Sequence, residues 1–302
     1  MPTPADVAAA AERIAPHVRR TPVIRADLGG RSIWFKLEQL QVTGSFKARG
    51  ATNAVLNAAV SPDAVVAASG GNHGLGVAHA AAVVGAAATI VVPEAVDDAK
   101  ARRLAAAGAS VVRHGSRYAE AEEHARMLAE AMHAPFLHAY ADPAVIAGQG
   151  TVAAEVLADV GDRIDAIVVA VGGGGLIAGC ATAAADADVS VVGVEPEGIP
   201  TLHAALRAGH PVDVEVDSLT ASALGATRTG APNLAIAQQH VDDVVLVSDN
   251  AILQARDLLW DVLRVAVEPA SAAGLAAVLG GFIEASEPCV VLCGANSAWR
   301  PA

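Results

Sequence analysis

The amino-acid sequence predicts an α/β protein whose mostly parallel β-sheets are covered by helices. Three observations support this prediction. The chain has 302 residues, of which 53% are hydrophobic and 17% charged, so it is long and apolar enough for a large core and two lobes. Short runs rich in Val and Ile alternate with longer, alanine-rich segments. The apolar runs are continuous, which is typical of strands buried on both faces of a parallel sheet.

The individual elements follow from this alternation along the chain. Short β-branched runs predict strands at residues 32–37, 64–68, 88–92, 110–113, 165–170, 189–194, 243–247 and 288–292. The alanine-rich segments predict helices at residues 45–59, 73–85, 97–107, 117–132, 143–159, 175–187, 249–265 and 270–284. Strands that alternate with helices indicate parallel βα units. A domain boundary is expected near residues 140–144, where Tyr140, Asp142 and Pro143 occur.

Composition excludes several classes of partner. The formal net charge of −12, without any basic run, argues against nucleic acid and against an anionic membrane surface. Three cysteines are too few for a disulfide framework and are typical of the reducing cytoplasm, where we expect the protein. The N-terminus lacks the basic start of a signal peptide. No segment follows residue 302, so no C-terminal regulatory domain is expected.

Two uncharged windows have the length of a membrane span. Residues 64–93 and residues 166–185 contain no Asp, Glu, Lys or Arg. Each window is interrupted, the first by SGGNHG at residues 69–74 and the second by four glycines at residues 172–175. Consecutive glycines weaken a helix. We therefore predict a buried strand, a loop and a helix in each window rather than a membrane span.

Both interrupting loops are suited to an anion. Each follows a predicted strand and precedes a helix, and small residues leave the backbone N–H groups accessible. For the first loop, a turn with a helix cap is an equal alternative. The second loop also fits a dinucleotide fingerprint, with Gly173, Gly175 and Ala178, and Glu195 follows 20 residues after Gly175. An NAD-dependent oxidoreductase therefore remains an alternative at this point.

Two further residues are candidates for chemistry. Lys47 lies in TGSFKARGA, where Arg49 is the only other charged residue, and an apolar setting lowers the pKa of a lysine. Cys293 follows the last predicted strand, at the sheet edge where ligands bind in open α/β folds. The alternative for Cys293 is a buried structural thiol. Cys289 and Cys293 have no histidine cluster nearby, so we expect no metal there.

An ordered set of motifs resembles the pyridoxal-phosphate enzymes of fold type II, in particular the threonine and serine dehydratases. The motifs are GSFKARGA at 44–51, SGGNHG at 69–74, GQGT at 148–151, GGGGL at 172–176, GVEP at 193–196 and EPASA at 268–272. The resemblance implies two open, twisted, mostly parallel sheets in two lobes with the cofactor between them. It also implies a large cofactor-binding domain (1–39 and 144–302), a small domain (40–143) and a homodimer.

The resemblance further implies roles for individual residues. Lys47 would form the Schiff base with pyridoxal 5′-phosphate and act as the catalytic base, beside Phe46. Asn72 would bond the 3-hydroxyl oxygen of the ring, and Cys293 would lie beside the pyridine nitrogen. The phosphate would be held by Gly172, Gly173, Gly174, Gly175 and Leu176. The substrate carboxylate would be held by Ser69, Gly70, Gly71, Asn72 and His73.

The activity implied is β-elimination of water from L-threonine or L-serine, giving 2-oxobutanoate or pyruvate plus ammonia. The alternatives on the same fold are hydroxyaspartate dehydration, diaminopropionate elimination, serine racemisation and β-replacement. Racemising relatives carry a hydroxyl where this chain has Gly70, so little racemisation is expected. Relatives with a divalent cation add a second carboxylate where this chain has Thr201, so no metal is expected near Glu195. Ser222 replaces an aspartate of the family, and the sequence leaves the choice between serine and threonine open.

Overall fold

The computed structural model describes residues 1–297 and residue 299. Within these residues the chain forms one six-stranded and one three-stranded sheet, flanked by helices. The strands are β1 (Val23–Leu28), β2 (Arg31–Lys36), β3 (Ala64–Ala68), β4 (Ala87–Val92), β5 (Ser110–Arg113), β6 (Ala166–Ala170), β7 (Ser190–Pro196), β8 (Asp243–Val247) and β9 (Pro288–Val291). The helices are α1 (Pro4–Ile14), α2 (Lys47–Leu56), α3 (Asn72–Val84), α4 (Asp98–Ala106), α5 (Tyr118–Met132), α6 (Pro143–Val160), α7 (Gly175–Ala183), α8 (Thr201–Ala208), α9 (Ala221–Leu224), α10 (Ala231–His240), α11 (Asp249–Leu263) and α12 (Ala273–Leu279).

The six-stranded sheet has the order β1-β2-β9-β6-β7-β8. All of its neighbouring strands pair in parallel except β1, which pairs antiparallel with β2. Every residue of β6 is buried. Successive side chains of a strand point to opposite faces, so both faces of this sheet are covered at its centre. This burial explains why the Val and Ile runs of the sequence are continuous.

The three-stranded sheet is parallel, in the order β3-β4-β5, and has a separate core on each face. Val65 and Ala67 of β3 belong to a cluster with residues of α2 and α3. Val66 and Ala68 point the other way, into a cluster with alanines of α5. The predicted architecture of two open, mostly parallel sheets with flanking helices is therefore present.

All eight predicted strands and all eight predicted helices form, with shifted ends. The helix predicted at 270–284 is shorter, because a 3₁₀ turn (Pro269–Ala272) precedes α12 and the chain leaves the helix at Gly280 and Gly281, where φ is +73° at Gly281. Glycine is favoured at such a left-handed position.

Five elements were not predicted: β1, α1, α8, α9 and α10. β1 has two exposed charged residues among its six, so its apolar run is interrupted. It joins β2 through Gly29 and Gly30, both with positive φ, as a two-residue hairpin requires. α1 carries a readable start signal, because Thr3 and Asp6 form a capping box and Pro4 is its first residue. The other three helices occupy the segment between β7 and β8.

The uncharged windows contain a strand, a loop and a helix, as predicted. Residues 64–93 form β3, α3 and β4, and residues 166–185 form β6 and α7. Among the described residues, one helical stretch (Pro143–Arg163) is long and apolar enough to cross a membrane, and 61% of its apolar 18-residue window is buried. This stretch contains α6, which packs against α1, α2 and α7. Its apolar residues therefore contact other helices of the same protein.

A buried ion-pair cluster joins α2 to the larger sheet. The guanidinium of Arg49 is fully buried and makes paired bonds with Glu38, at 2.8 Å each, and with Glu155, at 2.8 and 2.9 Å. Lys36 of β2 donates to Glu155 at 2.5 Å and to the carbonyl of Thr21 at 2.8 Å. Two cations thus face two carboxylates, and the cluster is balanced in charge.

We expect Arg49→Met to lower the free energy of unfolding by about 3–5 kcal/mol, because it leaves Glu38 and Glu155 buried without their partner. Urea denaturation measures this change. The matched control is Arg20→Met, since Arg20 pairs with Asp159 at the surface with its side chain 57% exposed, and its loss should cost at most about 1 kcal/mol. Equal stability of the two variants would contradict the interpretation.

Candidate active site

One cavity of about 590 Å³ lies between the two sheets. It is bounded by the start of α2, the loop before α3, the loop before α7 and the chain after β9. The structure brings together at this cavity all the site residues predicted from the sequence: Phe46, Lys47, Ser69, Gly70, Gly71, Asn72, His73, Gly172, Gly173, Gly174, Gly175, Leu176 and Cys293. Residues from the two halves of the chain therefore face one space.

Lys47 is the first residue of α2, and its ammonium group lies inside the cavity wall. Nζ donates a hydrogen bond to the carbonyl of Ala139 at 2.7 Å and lies 5.1 Å from the centre of the Phe46 ring. Burial lowers the pKa of Lys47 to about 8. With this pKa about one tenth of the amine is neutral at pH 7, far more than for an ordinary lysine, and the neutral form is the one that attacks a carbonyl carbon or takes a proton.

Two neighbours of Lys47 are uncharged at neutral pH. Burial raises the pKa of Cys293 to about 12, so its thiol stays protonated, with Sγ 3.4 Å from the carbonyl of Val291. An ionised Cys293 would raise the pKa of Lys47, but that ionisation is absent at neutral pH. Burial and, secondarily, the charge of Lys47 lower the pKa of His73 to about 3.

The tautomer of His73 follows from its hydrogen bonds. Nε2 lies 2.8 Å from the carbonyl of Leu137, so this nitrogen carries the proton and donates. Nδ1 is buried and has no hydrogen-bond partner among the described residues. A buried nitrogen without a partner is unfavourable. His73 therefore keeps one acceptor nitrogen uncommitted.

The four glycines before α7 form an open cradle. Gly174 has φ of +90°, and the carbonyl of Gly173 accepts hydrogen bonds from Asn233 at 2.7 Å and Thr229 at 3.2 Å. A Cβ atom added at Gly173 would lie 2.4 Å from the ring of Tyr140. Only bare backbone fits here, at the N-terminus of α7, where free N–H groups favour an anion. The cradle fits a phosphate group.

Asn72 is held between two side chains from distant parts of the sequence. Its Nδ2 donates to Oε1 of Glu268 at 2.7 Å, and its Oδ1 accepts from Nδ2 of Asn296 at 2.8 Å. Glu268 also lines the cavity, and burial raises the pKa of its carboxyl group to about 7, while the bond from Asn72 acts in the opposite direction. Asn72 is thus oriented on both sides of its amide.

Glu195 does not belong to the cavity wall, which argues against the NAD alternative. Its carboxyl group is fully buried and accepts from the backbone N–H groups of Leu202 at 2.7 Å and His203 at 2.9 Å, at the start of α8. Burial raises the pKa of Glu195 to about 8. The hydroxyl of Thr201 donates to the carbonyl of Ala226. The Glu195 side chain therefore caps α8, whereas ribose recognition would require it at the cavity.

Several cavity residues were missed by the sequence reasoning. Glu268 lies in the EPASA motif, but the motif indicated no role for it. Tyr140 was noted only near a boundary, although its ring packs on the cradle. Lys100 and Arg117 also line the cavity, and neither stands out in a sequence with many surface charges. In the described part of the chain, no group of three or more His, Cys, Asp or Glu residues could hold a metal ion.

Comparisons with known proteins agree with this site. A family model described as pyridoxal-phosphate dependent enzyme matches residues 14–294. The L-threonine ammonia-lyase of Thermotoga maritima is 36% identical over 300 residues, covering 96% of this chain and 75% of that protein. The serine racemase of Arabidopsis thaliana is 35% identical, with 94% and 90% covered. The beta-hydroxyaspartate dehydratase of Paracoccus denitrificans is 36% identical, with 92% and 90% covered.

The fold is also similar to that of a threonine deaminase from T.th. whose crystal structure is solved. The TM-score is 0.93 at 39% sequence identity, and the similarity covers 99% of this chain and 100% of that chain. This similarity confirms the predicted architecture of a fold type II enzyme, in which two lobes enclose the cofactor site.

We expect Lys47 to react with a water-soluble acylating reagent at half its maximal rate near pH 8, because only the neutral amine is nucleophilic and burial lowers its pKa to about 8. Peptide mass spectrometry after short pulses over a series of pH values measures the reaction, in protein freed of bound aldehydes. Lys36 and Lys100 are the other lysines of the chain. Lys36 is fully buried against Glu155 and should not react, and exposed Lys100 is the internal reference. Identical pH profiles for Lys47 and Lys100 would contradict the pKa shift.

Proposed function

The chain belongs to the pyridoxal-phosphate dependent enzyme family, and from this premise we propose that it is an ammonia-lyase that eliminates water from L-threonine or L-serine. The products are 2-oxobutanoate or pyruvate, with ammonia. The observation that carries the proposal is the position of Lys47, a buried amine with a pKa of about 8, in a cavity with a glycine cradle on another wall. Of the other lysines, which all lie in the described part of the chain, Lys36 is outside the cavity and Lys100 is exposed.

The residues present fit pyridoxal 5′-phosphate. The cradle of residues 172–175 at the N-terminus of α7 would hold the phosphate through backbone N–H groups, as Gly173 has no room for a side chain. Lys47 would hold the aldehyde carbon, Phe46 would lie beside the ring, and the neutral thiol of Cys293 would lie at the pyridine nitrogen. When bound, the cofactor withdraws electrons from the Cα of an amino acid and so weakens its Cα–H bond.

The other groups orient the substrate and move its proton. Residues 69–73 would hold the substrate carboxylate through the backbone N–H groups that precede and begin α3. The neutral amine of Lys47 takes the proton from Cα, and the carbonyl of Ala139, 2.7 Å from Nζ, keeps that nitrogen in the cavity. His73, with a pKa of about 3, is a much weaker base than Lys47, and the thiol of Cys293 keeps its own proton, so neither competes with Lys47 for the proton.

A second class of substrate is favoured by two cationic side chains that line the cavity. Lys100 lies on α4 and Arg117 directly precedes α5, and both side chains line the same cavity as the loop at residues 69–73. Arg117 pairs with Glu120 and is 77% exposed, so it can exchange that partner at low cost. These cations would suit a substrate with a second carboxylate, such as 3-hydroxyaspartate.

We also propose the assembly and location that the family resemblance implies, a cytoplasmic homodimer with two domains. The three cysteines are free thiols, as a reducing compartment requires. The proposed large domain (1–39 and 144–302) contains the strands of the six-stranded sheet, and the proposed small domain (40–143) contains those of the three-stranded sheet. The cavity lies between these parts.

The purified enzyme should form a 2-oxo acid and ammonia from L-threonine or L-serine. It should also show a visible absorption band from pyridoxal phosphate bound to Lys47. Borohydride reduction should remove this band and leave the added mass of the cofactor on the peptide that contains Lys47. Coupled assays of L-threonine, L-serine, 3-hydroxyaspartate and diaminopropionate identify the substrate. Lys47→Arg should lower kcat by about 10²–10⁴-fold, because the proton acceptor is lost. The exposed Arg20→Lys variant is the control. Absence of oxo acid from every substrate, or a wild type without the band, would contradict the proposal.

We expect L-serine to be consumed without formation of D-serine, because Gly70 offers no hydroxyl to return a proton to the opposite face of Cα. Chiral chromatography of the remaining serine measures this outcome. Gly70→Ser should raise D-serine formation only together with Val96→Ala, since a Cβ at residue 70 would lie 2.9 Å from Cγ2 of Val96. Val96→Ala alone is the control. Substantial D-serine from the wild type would show that another group supplies the proton.

A further inference from the structure

We propose that Glu268 and Asn296 are positioning residues that fix the side-chain amide of Asn72 in one orientation, so that Asn72 presents an N–H donor to the cofactor ring. The inference rests on the proposed function, because it concerns a pyridoxal-phosphate site. Neither Glu268 nor Asn296 needs to touch the substrate for this role. Both act through Asn72.

Three hydrogen bonds settle which end of the Asn72 amide faces which neighbour. Oε1 of Glu268 accepts from Nδ2 of Asn72 at 2.7 Å, and in its ionised form the Glu268 side chain can only accept. Asn296 donates from its Nδ2 to Oδ1 of Asn72 at 2.8 Å. The same Nδ2 of Asn296 donates to the carbonyl of Thr43 at 2.7 Å, so the nitrogen end of Asn296 is itself fixed.

The orientation leaves one donor of Asn72 unused. An amide nitrogen has two N–H bonds, and one of them is directed to Glu268. Asn72 lines the cavity, so the second N–H is the group that remains for a ligand there. Rotation of the amide by 180° would instead place Oδ1 against the Glu268 carboxylate and leave the cavity with an acceptor. A phenolate oxygen of the ring needs the donor.

The neighbours of Glu268 are rigid and keep its carboxylate in place. Its backbone N–H donates to the carbonyl of Gly294 at 3.0 Å, and Oε1 lies so close to Gly294 that a Cβ there would be 2.8 Å away. Its side chain is buried, and the positive charges of Lys100 and Arg103 on α4 favour the ionised form. Contacts with the backbone of Gly294 therefore fix the position of Glu268, and the nearby positive charges favour the ionised form that accepts from Asn72.

Isosteric substitutions separate this role from simple packing. Glu268→Gln keeps an oxygen that can accept from Asn72, whereas Glu268→Leu has a similar volume and no acceptor. Asn296→Asp keeps the shape, but it can no longer donate to Asn72 or Thr43, and it favours the rotated amide. We expect Glu268→Leu and Asn296→Asp to weaken pyridoxal-phosphate binding about tenfold, from the loss of one charge-assisted or orienting hydrogen bond. Glu268→Gln should stay within about threefold of the wild type.

Two quantities are measured. One is the dissociation constant of pyridoxal phosphate, from titration of the visible absorption band of the bound cofactor. The other is the pH at the midpoint of the change in that band's absorbance. Both should shift in Glu268→Leu and Asn296→Asp and stay near the wild-type values in Glu268→Gln. Each change is repeated in an Asn72→Ala background. There neither substitution should weaken binding further, because the residue through which they act is gone. Thermal unfolding checks each fold, and Asn296→Asp alone decides the test if Glu268→Leu does not fold.

Two results would overturn the inference while leaving the proposed function intact. One is a full additional loss of affinity from Glu268→Leu or Asn296→Asp in the Asn72→Ala background. The other is a Glu268→Gln variant as weak as Glu268→Leu, which would show that charge rather than orientation matters. A wild-type chain that binds no pyridoxal phosphate would instead overturn the proposed function, and the inference with it.

Discussion

The buried guanidinium of Arg49 between Glu38 and Glu155 is the interaction on which the arrangement of the site depends. It joins α2 to the turn after β2 and to α6, and Lys47 lies two residues before Arg49 on the same helix. A buried ion pair contributes little net stability relative to a hydrophobic replacement, because desolvation of the charges is costly. Its contribution is geometric. The two carboxylates accept paired bonds from a planar guanidinium, and this geometry constrains the position of α2 relative to both of them.

Glycines allow α6 to pack closely against both α2, which carries Lys47, and α7, which begins at the cradle. A Cβ at Gly148 of α6 would lie 2.7 Å from Cα of Gly50 on α2, and a Cβ at Gly179 of α7 would lie 2.5 Å from the backbone nitrogen of Gly150 on α6. The GQGT motif therefore places α6 in direct backbone contact with two helices. α2 begins at Lys47, and α7 begins at the cradle. The distance between the amine and the phosphate site is thus set by close helix packing, which tolerates little adjustment.

Burial also decides the charge state of the site. The chain carries a net charge of −12, yet desolvation favours the neutral forms of Lys47, His73 and Cys293 in the cavity wall. An amine that is partly neutral near neutral pH, beside groups that stay uncharged, is suited to proton transfer at a carbon atom. Glu268 differs from these groups, because Asn72 and the charges of α4 favour its ionised form while burial opposes it. Glu268 bonds Asn72 and takes no part in the proposed proton transfer, so its ionised form does not interfere with that step.

The sequence by itself determined eight of the nine strands in the described part of the chain, most of its helices, and the lysine and glycine loops of the site. These features depend on local patterns, namely continuous apolar runs, small-residue loops and an isolated lysine, which persist whatever the rest of the chain does. It also offered Glu195 as a ribose-binding acid, and only the tertiary structure showed this side chain capping α8. Likewise, only the folded chain brings Glu268 and Asn296 to Asn72, across 196 and 224 residues of sequence. A hydrogen bond depends on the positions of two atoms in space, and at such separations spacing along the chain carries no information about those positions.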